Sequence, residues 1–147
     1  MNDLELAKEE LKKEGCTFAA AKDGEVISSE KRGIVPLLDM LDSVREGKGV
    51  SYAGWSCADK VAGKAPAMIY VLLGVSEVYA RVMTRDAARI LESARIGCTY
   101  DALADKIINR AGTDICPMEK TVLGIGDPEE AVSAIRAKLA DMNILIV

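Results

Sequence analysis

The chain has 147 residues, of which 50% are hydrophobic, 4% aromatic and 29% charged, and its formal net charge is −4. This length and composition exclude a disordered chain and predict a single domain over residues 1–147, with a core built mainly from aliphatic side chains. The acidic balance, and the absence of a basic run interleaved with aromatic residues, argue against a nucleic-acid partner.

The first fifteen residues, MNDLELAKEELKKEG, mix acidic and basic side chains, and the longest apolar run, APAMIYVLLGV, is too short to span a bilayer. We therefore expect a cytoplasmic protein with no membrane partner. The four cysteines form no CxxC pair, and we expect reduced thiols. The sequence has no histidine, which removes the usual general base near neutral pH and the commonest zinc ligand. Catalysis would depend on Asp, Glu, Lys, Cys or Tyr, and we expect neither a metal nor a cofactor.

The N-terminal part of the chain predicts a helix, a hairpin and a second helix. Residues 3–14 place apolar side chains at helical spacing and end at Gly15. Asp23 and Gly24 separate two short extended runs and are typical of the tight turn between antiparallel strands. The second helix has Pro36 in its first turn.

The next segment predicts a strand over residues 50–55 followed by a helix from Asp59 to about Leu73. Asp59 would act as the N-cap, and Gly74 would end the helix. Pro66 conflicts with a regular helix here, since an interior proline removes a backbone hydrogen bond. We therefore expect either a kink or a helix start later than Asp59.

Strands and helices then alternate. Residues 76–84 predict a strand, and the following helix would begin at Thr84 and end at Gly97. We expect a short strand over residues 98–100 and a short helix or turn over residues 101–110.

The C-terminal part begins with a glycine-containing loop that leads to a helix start at Pro117. A final helix would be capped by Asp127, have Glu130 three residues later and run to about Met142. The apolar residues 143–147, NILIV, predict an edge strand or an oligomer contact. The order of elements predicts an α/β fold with three α/β/α layers and a mixed sheet.

Residues 57–60, Cys-Ala-Asp-Lys, follow a predicted strand and resemble the Cys-Ala-Glu-Arg segment of small cytidine deaminases. This resemblance implies a cytidine deaminase-like fold, in which the cysteine would bind zinc and the acidic residue would shuttle protons. The chemistry also requires Pro-Cys-x-x-Cys at the next helix start. This chain has Thr84-Arg85-Asp86 there instead, with no zinc ligand among them. We therefore expect a zinc-less branch of that superfamily and no metal site.

Three stretches resemble an uncharacterised prokaryotic family, domain of unknown function 1893. They are ADKVAGKA (58–65), VYARVM (78–83) and INRAGTDICPMEKTVL (108–123). The resemblance covers nearly the whole chain and implies a cytidine deaminase-like fold without the zinc motif. Pro66 and Asp114 depart from the family pattern, which has Ala and Gly at those positions.

Lys60 and Lys64 are four residues apart and would share one face near the start of the predicted 59–73 helix. A helix N-terminus carries partial positive charge, so this pair predicts a site for an anion such as phosphate or carboxylate. Gly63 would allow a ligand or another backbone to approach closely. The alternative is a pair of solvated lysines.

Cys116 precedes Pro117 and would occupy an N-cap position, where the helix dipole favours a thiolate. It is therefore a candidate nucleophile, although Glu119 would oppose ionisation unless it belongs to a capping box. A buried, inert cysteine is the alternative. Polar contacts to a ligand would come from the loop residues Asn109, Arg110 and Thr113, which are also ordinary loop residues.

Three functional hypotheses follow. The first is a zinc-independent protein that binds a small anionic, nucleotide-like ligand at the 59–64 helix start and the 109–119 loop. The second is an enzyme that uses Cys116 as nucleophile, with Asp59 or Lys60 in acid-base roles. The third is an interaction module in which the apolar residues 143–147 and a sheet edge build a homodimer. The fold alone does not choose among them.

Overall fold

The computed structural model describes residues 1–109 and 111–142, which form five strands and six helices. The strands are β1 (Phe18–Lys22), β2 (Glu25–Ser29), β3 (Ser56–Ala62), β4 (Glu77–Thr84) and β5 (Gly97–Ala104). The helices are α1 (Asp3–Leu11), α2 (Val35–Arg45), α3 (Lys64–Leu73), α4 (Arg85–Ser93), α5 (Pro117–Thr121) and α6 (Pro128–Asp141).

The strands form one mixed sheet in the order β2-β1-β3-β4-β5. β1 is antiparallel to both β2 and β3, whereas β3, β4 and β5 are parallel. One row of paired residues crosses four of the strands: Ala20 of β1 pairs with Cys57 of β3, Cys57 with Val78 of β4, and Val78 with Cys98 of β5. The predicted α/β fold with a mixed sheet is confirmed.

The predicted hairpin turn is also confirmed. Asp23 and Gly24 both have positive φ, at 50° and 83°, as a two-residue turn of this twist requires. Asp3 of α1 accepts hydrogen bonds from the backbone amides of both turn residues, at 3.0 and 3.3 Å. The N-terminal helix is therefore tied to the tip of the hairpin.

Helix α1 covers one face of the sheet. Ala7 and Leu11 are buried against Ala19, Ala58 and Tyr79, which come from β1, β3 and β4. Small side chains on β1 and β3 allow the helix to lie close to the strands, because alternate residues of a strand point to the same face.

The other face of the sheet carries the larger core. Helix α3 lies at its centre and contacts α2, α4 and α6. The largest fully buried side chains of this core are aliphatic apart from one tyrosine: Tyr70, Leu37, Leu38, Leu41, Ile69, Met83, Leu91 and Ile135. The described helices therefore lie on both sides of the sheet.

The predicted start of the central helix is wrong. The residues from Ser56 to Ala62 form strand β3, so Asp59 lies inside a strand and does not cap a helix. Helix α3 begins at Lys64 with Gly63 as its N-cap. This agrees with the expected later start, because Pro66 is then the third helical residue, whose amide would have no intrahelical acceptor in any case. Pairing with β1 and β4 overrides the local capping pattern.

The predicted end of the fourth helix and the segment after it are also wrong. Helix α4 ends at Ser93 and not at Gly97, and Arg95, with φ of 61°, makes a left-handed turn after it. Gly97 instead begins β5, which continues through residues 101–104 where a helix or turn was expected. Hydrogen bonding to β4 holds this segment extended.

The two predicted side-chain caps are confirmed. Thr84 accepts a hydrogen bond from the amide of Ala87 at 3.1 Å, and Asp127 accepts one from the amide of Glu130 at 2.9 Å. The predicted edge strand or oligomer contact at 143–147 lies outside the described residues. Within the described ranges, no helix combines the length and the apolarity needed to cross a bilayer, and the cytoplasmic location stays a prediction.

Candidate functional site

A cavity of about 540 Å³ opens beside the carboxyl end of β3. Its size is typical of small-molecule sites, and in open α/β sheets such sites lie at the carboxyl ends of strands. Its polar lining consists of Thr17, Arg32, Asp59, Lys60, Cys116 and Glu119. Its apolar lining includes Ile34, Val61, Pro66, Ile107 and Met118. Asp59, Lys60 and Cys116, which the sequence nominated separately, therefore lie around one cavity.

Three consecutive residues of β3, 59 to 61, line this cavity. Neighbouring residues of a regular strand point to opposite faces of the sheet. The register between β3 and β4 is the same at Asp59–Ala80 and at Val61–Val82, so no residue is inserted between these pairs. The cavity is therefore lined by residues from both faces of the strand near its carboxyl end.

Asp59 is a buried carboxyl group at the cavity, with 9% of its surface exposed. Its Oδ1 accepts a hydrogen bond from the amide of Lys60 at 2.8 Å, and its Oδ2 accepts one from the hydroxyl of Tyr70 at 2.9 Å. Burial raises the pKa of Asp59 to about 7, although the bonds from Tyr70 and from the backbone at Lys60 and Val61 favour the ionised form. A carboxyl group with this pKa can take or give a proton at neutral pH.

Glu119 closes one side of the cavity by binding the start of α3. Its Oε1 accepts from the amide of Lys64 at 2.7 Å, and its Oε2 accepts from the amide of Ala65 at 2.8 Å. Burial raises the pKa of Glu119, and these two backbone hydrogen bonds oppose that shift. A carboxylate is favourable at a helix N-terminus, where amides lack intrahelical acceptors.

Gly63 is required by this contact. A Cβ atom built at Gly63 would lie 2.1 Å from Oε1 of Glu119 and 2.6 Å from Cδ1 of Ile107. The close approach that the sequence assigned to Gly63 is therefore made by Glu119. Whether Gly63 also contacts a ligand stays a prediction.

The predicted pair of lysines on one helix face is wrong. Lys60 lies in β3, and Lys64 is the first residue of α3. The Nζ atom of Lys64 donates to the carbonyl of Leu123 at 3.1 Å, and the first amides of α3 are bound by Glu119. Lys60 lines the cavity, whereas Lys64 is not part of its lining.

Cys116 is the N-cap residue of α5, as predicted, although this helix has only five residues. Its backbone amide donates to the carbonyl of Ile107 at 2.8 Å, and its half-buried thiol lines the cavity. Cys57 differs: it is fully buried in β3, and burial raises the pKa of its thiol. Its neutral thiol is therefore inaccessible to a ligand in the cavity.

The loop before α5 is held together by its own side chains. Asn109 accepts from the amide of Thr113 at 3.1 Å and donates to the hydroxyl of the same residue at 3.3 Å. Neither residue lines the cavity, and Arg110 lies outside the described residues. Ligand contacts by these three residues stay predictions.

Sequence reasoning missed Arg32, Tyr70 and the long-range role of Glu119. Arg32 precedes α2 in a segment without a recognisable motif, and Tyr70 sits within an apolar run that reads as core. Glu119 suggested only a local capping box. Among the described residues, no group of three or more Cys, Asp or Glu side chains is arranged to hold a metal ion.

Comparison with known proteins identifies the family. The model of a family described as domain of unknown function, DUF1893 (TM1506), matches residues 6–139. The chain belongs to this family. The sequence resemblance to DUF1893 is thus confirmed, whereas membership of the cytidine deaminase-like superfamily stays a prediction. None of the curated proteins compared with the chain matches it.

A solved structure shows the same fold. The crystal structure of a DUF1893 family protein from Thermotoga maritima is 23% identical to this chain and superposes with a TM-score of 0.80. The match covers 92% of this chain and 88% of the other. At this level of identity the likeness establishes the fold and carries no statement about activity.

Replacing Gly63 with Ala in this DUF1893 chain should lower the free energy of unfolding by about 2 kcal/mol, because overpacking forces Glu119 off the α3 amides. Gly126→Ala is the matched control, since a Cβ there meets nothing within 4 Å. Urea unfolding followed by circular dichroism measures both. In a Glu119→Ala background, Gly63→Ala should lower the free energy of unfolding by less than it does in wild type. An equal loss in the wild-type and Glu119→Ala backgrounds would contradict the proposed clash.

Asp59 should make the protein less stable as the pH rises. Its folded pKa, about 7, lies above the ordinary aspartate value of 3.8, so the folded state keeps the proton after the unfolded state has lost it. The stabilising effect is complete below pH 4 and is lost as the pH passes through 7, a change of about 4 kcal/mol. The free energies of unfolding of wild type and Asp59→Asn, measured with urea from pH 4 to 8, should change with pH by amounts that differ by about 4 kcal/mol. Parallel curves would show that Asp59 titrates normally.

Proposed function

We propose that this DUF1893 chain is a one-domain, zinc-independent binding protein for a small anionic, nucleotide-like ligand, held in the cavity beside β3. The observation that carries the proposal is that two cationic side chains, Arg32 and Lys60, line the same cavity as the buried carboxyl group of Asp59. A ligand with an anionic group and a hydrogen-bonding ring would match this arrangement.

The two cations are suited to an anion because neither forms a salt bridge with another described residue. The neighbouring cation Lys31 differs, because it forms a salt bridge with Asp39 at 2.7 Å. A guanidinium group binds phosphate or carboxylate through two parallel hydrogen bonds, and an ammonium group adds a point charge. The proposed binding site for the anion is therefore Arg32 and Lys60. The start of α3 is not proposed, because Glu119 already binds its amides.

The apolar part of the cavity suits a ring. Ile34, Val61, Pro66, Ile107 and Met118 supply its apolar lining. Small-molecule sites typically combine such a lining with a few polar groups that fix orientation. The volume of about 540 Å³ accommodates a ligand of nucleotide size.

We also infer that the fold is cytidine deaminase-like, with three α/β/α layers. The support is the N-terminal helix and hairpin followed by alternating strands and helices, with helices packed on both faces of the sheet. Residues 57–60 give less support than their sequence suggests, because they lie within β3 and not at a helix start.

Native mass spectrometry of the purified protein should show a 1:1 adduct with a small molecule that is released as an anion. In Arg32→Gln/Lys60→Gln the occupancy should fall at least about tenfold, since each charged hydrogen bond contributes about 1.5–3 kcal/mol. Lys12→Gln/Lys13→Gln removes the same charge beyond the end of α1, on the other face of the sheet, and should leave the adduct unchanged.

The binding proposal fails if wild type carries no adduct and none of the four ribonucleoside 5′-monophosphates binds with a dissociation constant below about 1 mM. It also fails if the control variant loses the adduct as completely as Arg32→Gln/Lys60→Gln does.

A Cys116-dependent enzyme is the second candidate, because Cys116 and Asp59 line one cavity. This candidate predicts that iodoacetamide alkylates Cys116 at pH 7 at least about tenfold faster than free cysteine, the behaviour of an activated thiol. Peptide mapping would separate Cys116 from Cys98, which is also half-buried. Slow alkylation, at or below the rate of free cysteine, would leave binding as the function. The hypothesis of a homodimer built on residues 143–147 and a sheet edge stays a prediction, and residues 143–147 lie outside the described ranges.

A further inference from the structure

The carboxyl group of Asp59 has acceptor capacity that the protein does not use. An ionised carboxylate offers about four lone-pair positions for hydrogen bonds. The amide of Lys60 and the hydroxyl of Tyr70 take one position on each oxygen, and the amide of Val61 also points toward the group. At least one acceptor position is left for a donor that enters the cavity.

The group is held in a fixed orientation. Tyr70 is fully buried in α3 and stacks on Phe18, with ring centroids 6.5 Å apart. Its hydroxyl cannot move to another partner without disturbing the core, and Asp59 is fixed in turn by the backbone of its own strand. Recognition groups whose side chains are locked by packing bind ligands with defined geometry.

The charges and polar groups around Asp59 leave it as the acceptor at the cavity. Glu119 also lines the cavity, but its charge is countered by the start of α3, whose amides it binds, and by the ammonium group of Lys64. Tyr70 and Cys57 are neutral, since burial raises the pKa of each. The other polar side chains that line the cavity are Arg32, Lys60, Cys116 and Thr17, none of which is a carboxyl group. A ligand nitrogen that carries hydrogen therefore has Asp59 as the carboxyl partner that, among the described residues, is bound by neutral donors alone.

We propose that Asp59 is the subsite for a basic nitrogen group of the ligand, an amidine or an aminoheterocycle that donates N–H to the carboxylate. The proposal rests on the proposed function and narrows its ligand class: the ligand carries this nitrogen group in addition to the anionic group that binds Arg32 and Lys60. The two ends of the ligand would bind protein groups of opposite charge within one cavity.

The physical basis is the desolvation of Asp59. A carboxylate out of water is costly unless it is paired, and a charged N–H donor supplies both a counter-charge and a hydrogen bond. The raised pKa of Asp59 reflects that cost. Binding of a cationic donor should therefore release a proton from Asp59, and binding should weaken as the pH falls.

Benzamidine and benzoate are the probes, because they share a ring and a planar head but differ in charge and in donor capacity. Binding to the ¹⁵N-labelled protein is followed by the amide signals of Lys60 and Val61. Benzamidine should shift both signals in wild type at pH 8, and its affinity should be about tenfold lower at pH 6, as expected for a carboxyl group with pKa near 7. Asp59→Asn should abolish the shifts caused by benzamidine and leave those caused by benzoate.

Tyr70→Phe is the second variant and keeps the ring in the core. It removes one hydrogen bond that favours the ionised carboxyl group, so the pH midpoint of benzamidine binding should move upward. If Asp59→Asn does not fold, this midpoint and the wild-type pH dependence decide the proposal. A purely structural role of Tyr70 would leave the midpoint in place.

The proposal is overturned if benzamidine shifts these amides no more than benzoate does, if Asp59→Asn binds benzamidine as wild type does, or if the affinity is equal at pH 6 and pH 8. These results are separable from failure of the proposed function. Benzamidine bound at Asp59 in a protein that retains no anion would refute the anionic ligand alone. An anionic adduct lacking any N–H group would refute the Asp59 subsite alone.

Discussion

The contact between Glu119 and the first amides of α3 determines the shape of the site. It joins the segment before α6 to the central helix, and its two hydrogen bonds, 2.7 and 2.8 Å long, use a carboxylate where a helix start needs an anion. Ile107, Cys116 and Met118 line the cavity on the same segment. Gly63 permits the contact by lacking a side chain. Without it, the cavity would lose one of its sides.

The two buried carboxyl groups at the cavity have different roles because their environments differ. Glu119 is satisfied by two backbone amides and serves the helix. Asp59 binds its proton more tightly than an exposed aspartate does, because desolvation outweighs its hydrogen bonds and raises its pKa to about 7. The charge of one carboxylate is thus countered by a helix start and by Lys64, whereas the other, within the described ranges, is bound by neutral donors alone. This asymmetry is what allows a ligand-binding role to be proposed for Asp59 and not for Glu119.

The sequence predicted the local features of the fold and failed where partners lie far apart in the chain. The Asp23-Gly24 turn and the caps at Thr84 and Asp127 depend on residues within three positions, and all were found. The strands β3 and β5 were misplaced because their extended form depends on pairing with β4. For the same reason Asp59 and Lys60 line a cavity beside a strand and not at the helix start that the sequence predicted, and the contact between Glu119 and α3 was not predicted.

Strand β3 contains two kinds of position. Cys57, Ala58 and Ala62 are fully buried and are fixed by packing on both faces of the sheet. Lys60 and Val61 are at least partly exposed at the cavity and carry no such packing constraint. Substitutions at these two positions can therefore change the shape and polarity of the cavity without repacking the sheet. The same strand thus supports the core at some positions and leaves the surface of the cavity open to change at others.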